Sequence, residues 1–317
     1  MPKKIIIDTD PGIDDAMAIL FALAAPELDV VGVTTIFGNV DTPIATRNAL
    51  HLLQFAGRTE IPVAHGAEQP LYLSYRGPAT FVHGADGLGD VQQPAPTTKT
   101  GDQSAAQFIV EMVMANPGAV TLVPIGPLTN LALALMLEPR IVQMVAGVVL
   151  MGGAATVNGN VNPAAEANIY NDPHAADLVF TARWPVTMVG LDVTTKVVMD
   201  EPYLAALCNP NGKSGAYIYD ICRFYRDFHQ RVHQIDATYT HDPSAIAYLI
   251  DPTLFQTQQG AIRVLTEGIA RGHTLMDRRG HWSHPNEWST QTPVNVCLDV
   301  DAGRLLSLYQ QYILTAI

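Results

Sequence analysis

Asp8, Asp10, Asp14 and Asp15 fall within eight residues of one another, in the stretch Ile5-Ile6-Ile7-Asp8-Thr9-Asp10-Pro11-Gly12-Ile13-Asp14-Asp15. Carboxylates this close repel one another unless a cation or a set of donors compensates. Capping the helix that follows would employ one or two of them, and the remainder ask for a metal. No cysteine or adjacent histidine accompanies them. The donor set is therefore hard oxygen, which favours Ca²⁺ or Mg²⁺ over zinc, and the spacing is not that of a twelve-residue EF-hand loop.

The surrounding pattern supplies the elements that would hold such a site. Short β-rich runs at Ile5–Asp8, Val30–Ile36, Ile61–Ala64, Val120–Val123, Gly147–Met151 and Val186–Gly190 alternate with helical patterns. The helices are expected over Asp14–Ala25, Pro43–Phe55, Ser104–Ala115, Pro127–Leu137 and Pro173–Thr181. Crossovers of this length imply an α/β fold, a mostly parallel sheet with helices on both faces, whose chemistry sits at the carboxyl ends of the strands. The last third is less regular. It holds a polar and aromatic stretch, Tyr217–Tyr239, a helix at Asp242–Ile250, and strands at Ile262–Thr266, His273–Met276 and Val294–Leu298. Gln92–Gln103 and Cys208–Gly215 read as surface loops rather than interdomain linkers. The expectation is one domain over residues 1–317 with helical lid elements.

Several blocks in order resemble the Ca²⁺-dependent inosine-uridine nucleoside hydrolases. They begin with Asp8-Thr9-Asp10-Pro11-Gly12-Ile13-Asp14-Asp15 and continue with Gly38-Asn39-Val40, Val82-His83-Gly84 and Gly126-Pro127-Leu128-Thr129-Asn130. Then follow Met151-Gly152-Gly153, Pro163-Ala164-Ala165-Glu166-Ala167-Asn168-Ile169, Gly190-Leu191-Asp192-Val193-Thr194 and His241-Asp242-Pro243. The resemblance spans nearly the whole chain and implies a Rossmann-like nucleoside hydrolase fold.

It also implies roles. Asp10, Asp15, Asp242 and the carbonyl of Ile125 would ligate Ca²⁺, whose remaining positions the ribose diol and a water would fill. Asp10 would take the proton of that water as it attacks the anomeric carbon, with inversion. Asn39, Asn160, Glu166 and Asn168, with Asp14, would bind the sugar; Asn158-Gly159-Asn160 is also good turn chemistry. His241 would protonate the departing base and His83 would lie near it, while Tyr225, His229, His233 and Tyr239 would line the base pocket or a lid. Two features depart from the family pattern. Ala167 stands where many relatives carry a large aromatic, and Trp184, Trp282 and Trp288 lie outside the matching blocks, which disfavours a strictly purine-specific enzyme.

Two other readings stand beside this one. Asp8-Thr9-Asp10 ends a hydrophobic strand much as the nucleophile motif of a Mg²⁺-dependent haloacid-dehalogenase-type phosphatase does, and a Ca²⁺-dependent nucleoside binder without turnover would keep the metal site. Composition narrows the rest. With 317 residues and 48% hydrophobic content the chain can bury a large core. Eighteen Lys and Arg against 30 Asp and Glu give a formal charge of -12, a poor match to a nucleic acid polymer. No signal peptide or membrane span is evident. Cys208, Cys222 and Cys297 are an odd, widely spaced set suited to a reducing compartment. The expectation is a cytoplasmic protein acting on small ribonucleosides as a homodimer or homotetramer.

Overall fold

The computed structural model describes residues 1–209 and 212–316; the expected loop Cys208–Gly215 thus includes two positions, 210 and 211, outside the described residues. The first part of the chain runs β1 (Lys3–Thr9), α1 (Ile13–Ala24), β2 (Leu28–Thr35), α2 (Thr42–Phe55), β3 (Val63–Ala64), α3 (Thr80–His83) and α4 (Ala105–Ala115). Next come β4 (Val120–Pro124), α5 (Thr129–Leu137), α6 (Ile141–Met144), β5 (Gly147–Met151), α7 (Ala167–Asn171), α8 (Pro173–Thr181), β6 (Val186–Val189) and α9 (Leu191–Thr194). The last part holds β7 (Val198–Asp200), α10 (Glu201–Ala206), α11 (Ser214–His233), β8 (Ala237–Tyr239), α12 (His241–Ile250), β9 (Phe255–Val264), β10 (Thr274–Asp277), β11 (Val294–Val300) and α13 (Ala302–Thr315).

Nine strands form one sheet in the order β10-β9-β11-β6-β5-β4-β1-β2-β3, parallel from β11 to β3, with β9 antiparallel to both β11 and β10. The pleat of β1 explains why its apolar run is unbroken. Ile5 and Ile7 join a core with α1, α2, α11, α12 and α13, whereas Ile6 joins a second core with α4, α5 and α8 on the opposite face. Both sheet faces are buried, as a parallel sheet requires. Strand order reverses at β1, which pairs with β2 on one side and β4 on the other. That arrangement leaves a crevice beyond the carboxyl ends of β1 and β4.

Some boundaries differ from expectation for local reasons. The strand expected at Ile61–Ala64 shortens to Val63–Ala64, because Pro62 has no N–H to donate and offers only its carbonyl, to Val33 N–H. The helix expected from Pro127 starts at Thr129. Tyr217–Tyr239 resolves into the twenty-residue α11, whose Ile218, Ile221, Cys222, Tyr225 and His229 recur at helical spacing and are buried, followed by β8. Among the described residues no helix is long and apolar enough to cross a membrane.

The antiparallel edge is tied to the helical layer by one paired charge. Asp177 on α8 accepts Arg263 Nε and Nη2 at 2.8 Å each, and Val264 N–H at 2.9 Å. Replacing this carboxylate leaves a partly buried guanidinium and a backbone donor without a partner. Asp177→Ala is expected to lower unfolding stability by roughly 1–3 kcal/mol, read as an earlier urea midpoint at unchanged m-value; an unmoved midpoint would contradict this account of the edge.

Candidate active site

The end of β1 carries two carboxylates with different surroundings. Asp8 Oδ1 accepts Thr34 Oγ1 at 2.6 Å and Asn130 Nδ2 at 2.7 Å. Asn130 also donates to Thr35 O and accepts Ala67 N–H, so it clamps the ends of β1 and β2 to the start of α5. Burial outweighs these donors and pushes the Asp8 carboxyl up to about 7. Asp10 lies just beyond the strand. Its Oδ2 accepts Asn39 N–H at 2.6 Å, whereas its buried Oδ1 has no partner among the described residues.

The start of α1 completes the cluster. Asp15 Oδ1 accepts Thr9 Oγ1 and Asp10 N–H, and its Oδ2 accepts Gly12 N–H and Asn39 Nδ2, both at 2.9 Å. Asp14, Asp15 and Asp242, the last on the first turn of α12, bring carboxylate oxygens within 4.8 Å of one another, all buried. Asp14 Oδ1 has no partner among the described residues. Burial, then the charge of Asp15, raises both Asp10 and Asp14, the latter to about 8; Asp242 is raised by burial and by Asp14, Asp15 and Asp10. Two helix N-termini converge here and offset part of this repulsion. The oxygen-only donors, the orphaned oxygens and the uncompensated charge together fit a hard divalent cation.

The sugar-binding candidates line the next loops of the crevice. Glu166 is the N-cap of α7: Oε1 accepts Asn168 N–H at 2.9 Å, and Oε2 accepts Gly153 N–H at 2.9 Å and Ile169 N–H at 3.2 Å. Burial raises its carboxyl despite these donors. Asn168 Nδ2 donates to the carbonyls of Ile125 at 2.9 Å and Met151 at 3.2 Å, which occupies one lone pair of the Ile125 oxygen and leaves the other. Asn160 is exposed, and its Oδ1 accepts Ala167 N–H at 3.0 Å. The structure therefore uses Asn160 to steady the start of α7 at the rim.

Histidines and aromatic rings close the opposite side. His83 Nδ1 accepts Ile13 N–H at 3.2 Å and lies 3.9 Å from Asp14 Oδ1. An Nδ1 that accepts carries no proton, which puts the ring proton on Nε2. His241 Nδ1 bonds Thr194 Oγ1 at 2.8 Å. Burial lowers both imidazoles to about 3, with neighbouring histidines adding to the effect. Tyr225 packs 5.5 Å from the His83 ring and 4.3 Å from that of His229; Tyr239 lies 5.6 Å from His241 and 5.9 Å from His233. Tyr225, His229, His233 and Tyr239, expected to line the base pocket or a lid, thus meet one another and the rings of His83 and His241. Asn130, Thr34 and Thr194 were not singled out from sequence, although Asn130 and Thr194 stand in matching blocks.

The chain is similar to known proteins over nearly its whole length. The family model for inosine-uridine preferring nucleoside hydrolase matches residues 5–307, and the chain belongs to that family. It is 47% identical over 305 residues to uridine nucleosidase 1 of Arabidopsis thaliana, covering 96% of this chain and 91% of the relative. To the inosine-uridine preferring nucleoside hydrolase of Leishmania major it is 40% identical over 306 residues, 95% of each. A solved plant nucleoside hydrolase superposes with a TM-score of 0.97 at 46% identity, covering 99% of both chains. Family membership makes the chain a hydrolase of N-glycosidic bonds, and the phosphatase alternative finds no support among these relatives.

Close packing at the start of α1 yields a direct test. A Cβ on Gly12 would sit 2.7 Å from His83 Nδ1 and 2.9 Å from Asn39 Nδ2. Gly12→Ala must shift one or both of these groups. Nucleoside hydrolysis is expected to fall at least tenfold while far-UV circular dichroism stays that of the parent; full activity would show that neither group needs its observed place.

Proposed function

We propose that the chain hydrolyses ribonucleosides, uridine and inosine among them, to ribose and free base. The observation that carries this reading is the buried cluster of Asp10, Asp14, Asp15 and Asp242 facing the crevice, with His83 and His241 beside it. Asp10, Asp15, Asp242 and the Ile125 carbonyl would hold Ca²⁺. When bound, the ion would neutralise the carboxylates, accept the 2′ and 3′ hydroxyls of the sugar and make a water more acidic.

The protein's own groups do the rest. Asp10 takes the proton of the attacking water at Oδ1, the oxygen without a protein donor, while Asn39 N–H fixes Oδ2. Attack opposite the base inverts the anomeric carbon. Asp14, Asn39, Asn160, Glu166 and Asn168 hold the sugar hydroxyls; a substrate lacking the 2′ hydroxyl leaves a buried polar group unpaired. Thr194 anchors His241 through Nδ1, so Nε2 is the nitrogen that serves the departing base, with His83 next to it. Three free cysteines and the resemblance support a cytoplasmic salvage role, and the resemblance also points to a homodimer or homotetramer. A nucleoside binder without turnover would keep Asp10 as a metal ligand but would need neither a base nor an acid, which leaves His241 beside the cluster without a use.

Release of reducing sugar from a panel of ribo- and 2′-deoxyribonucleosides tests the reading. Ribose release that a Ca²⁺ chelator abolishes, that added Ca²⁺ restores, and that requires the 2′ hydroxyl is expected; binding of nucleosides without release would favour the non-catalytic alternative. Asp10→Asn is expected to cut kcat by roughly 10²–10⁴ or more while calorimetric Ca²⁺ binding persists. Near-normal turnover in that variant would remove Asp10 as the base. His241→Ala is expected to slow inosine hydrolysis far more than that of a nucleoside with an activated leaving group, and an equal loss on both would exclude leaving-group assistance.

A further inference from the structure

Tyr170, two residues beyond Asn168 on α7, carries two guanidinium groups on its ring. Arg76 lies 5.0 Å and Arg271 4.6 Å from the ring centroid. Five of the thirteen arginines, Arg58, Arg140, Arg226, Arg263 and Arg304, pair with carboxylates. Among the described residues neither Arg76 nor Arg271 does, and Arg271 Nε is buried without a hydrogen-bond partner. Asp172, two residues beyond Tyr170, is already engaged by Leu71 N–H, Thr129 Oγ1 and Ala175 N–H, and the exposed Glu267, four residues before Arg271, makes no ion pair with either guanidinium among the described residues.

These groups line a cleft of about 90 Å³ together with Ser74 and Asn171. Its walls are built. On one side Tyr75 Oη donates to Gly38 O and Ala79 N–H to Asn39 O, which fixes the Arg76 loop beside Asn39. On the other, the turn between β9 and β10 sits against α7 at Gly272 (φ +87), where a Cβ would meet Ala165 Cβ at 2.8 Å and Tyr170 Cα at 3.1 Å. The cleft is therefore continuous with the loops that hold Asn39 and Asn168. Two like charges on one ring, with donors left over, are stabilised by an anion with several oxygens, and guanidinium forks match phosphate oxygens in pairs.

We propose that Arg76 and Arg271 bind a phosphate group at the rim of the active site, supplied by a ribonucleoside 5′-monophosphate or by free inorganic phosphate. The site itself stands apart from the hydrolase reading; only the nucleotide source rests on it. Calorimetric titration with inorganic phosphate, and inhibition of uridine hydrolysis by uridine 5′-monophosphate, test the proposal on the parent protein, Arg76→Gln and Arg271→Gln. Saturable phosphate binding is expected, weakened tenfold or more in either variant, while kcat for uridine changes less than threefold. Competition by the nucleotide, weakened in the same variants, assigns the phosphate to a nucleotide; phosphate binding without competition assigns it to the free anion. Absence of binding by both probes, or binding that survives both substitutions, overturns the site. Failure of the parent protein to hydrolyse uridine would count against the hydrolase reading alone, because the phosphate titration does not depend on turnover.

Discussion

Burying carboxylates together is the constraint around which this protein is organised. Asp10, Asp14, Asp15 and Asp242 are all almost inaccessible to solvent, and each raises the cost of ionising another. The fold lessens that cost in specific ways. Asp15 receives four donors from the β1–α1 turn and Asn39, Asp10 receives the Asn39 backbone, and the N-termini of α1 and α12 point their positive ends at the cluster. Every donor comes from a segment leaving the carboxyl end of a strand or entering a helix. The sheet order that puts β1 between β2 and β4 is thus also what makes the cluster tolerable.

Much of this was legible because each signal was local. The apolar triplet Ile5-Ile6-Ile7 fills two cores at once, and the closely spaced aspartates that follow it cannot all be caps. Other parts were hidden for physical reasons. The first half of β9 is polar, since Gln256, Thr257 and Gln259 are exposed, so neither periodicity nor composition marks it as a strand. Helix α13 buries Leu305, Tyr309 and Ile313, but Leu306, Leu308 and Tyr312 beside them are also apolar and only partly buried, which blurs the stripe in the sequence. Pairings across the chain were out of reach altogether: Asn130 and Asp8 lie 122 positions apart, and only their meeting shows that Asp8 belongs to a clamp rather than to the cluster of Asp14, Asp15 and Asp242. Asn160 read first as a sugar ligand and second as part of a turn, and its bond to Ala167 N–H, seven residues on, is a contact that neither reading contains.

Glu166 illustrates how economically the crevice is held. One carboxylate starts α7, ties it to Gly153 and faces the region assigned to the sugar. Both oxygens are fixed by backbone donors, so the group enters binding without rotamer freedom to lose.

The opposite wall is constructed differently. Tyr225, Phe228, His229 and His233 project from α11 alone and touch one another, together with Tyr239 from β8 and Phe81 from α3, largely through ring contacts. Ring packing tolerates replacement better than a carboxylate shared among backbone amides. Across lineages the two walls should therefore drift at unequal rates. Descendants of this architecture can retailor one surface of a single helix, while the strand ends that carry the buried carboxylates stay frozen.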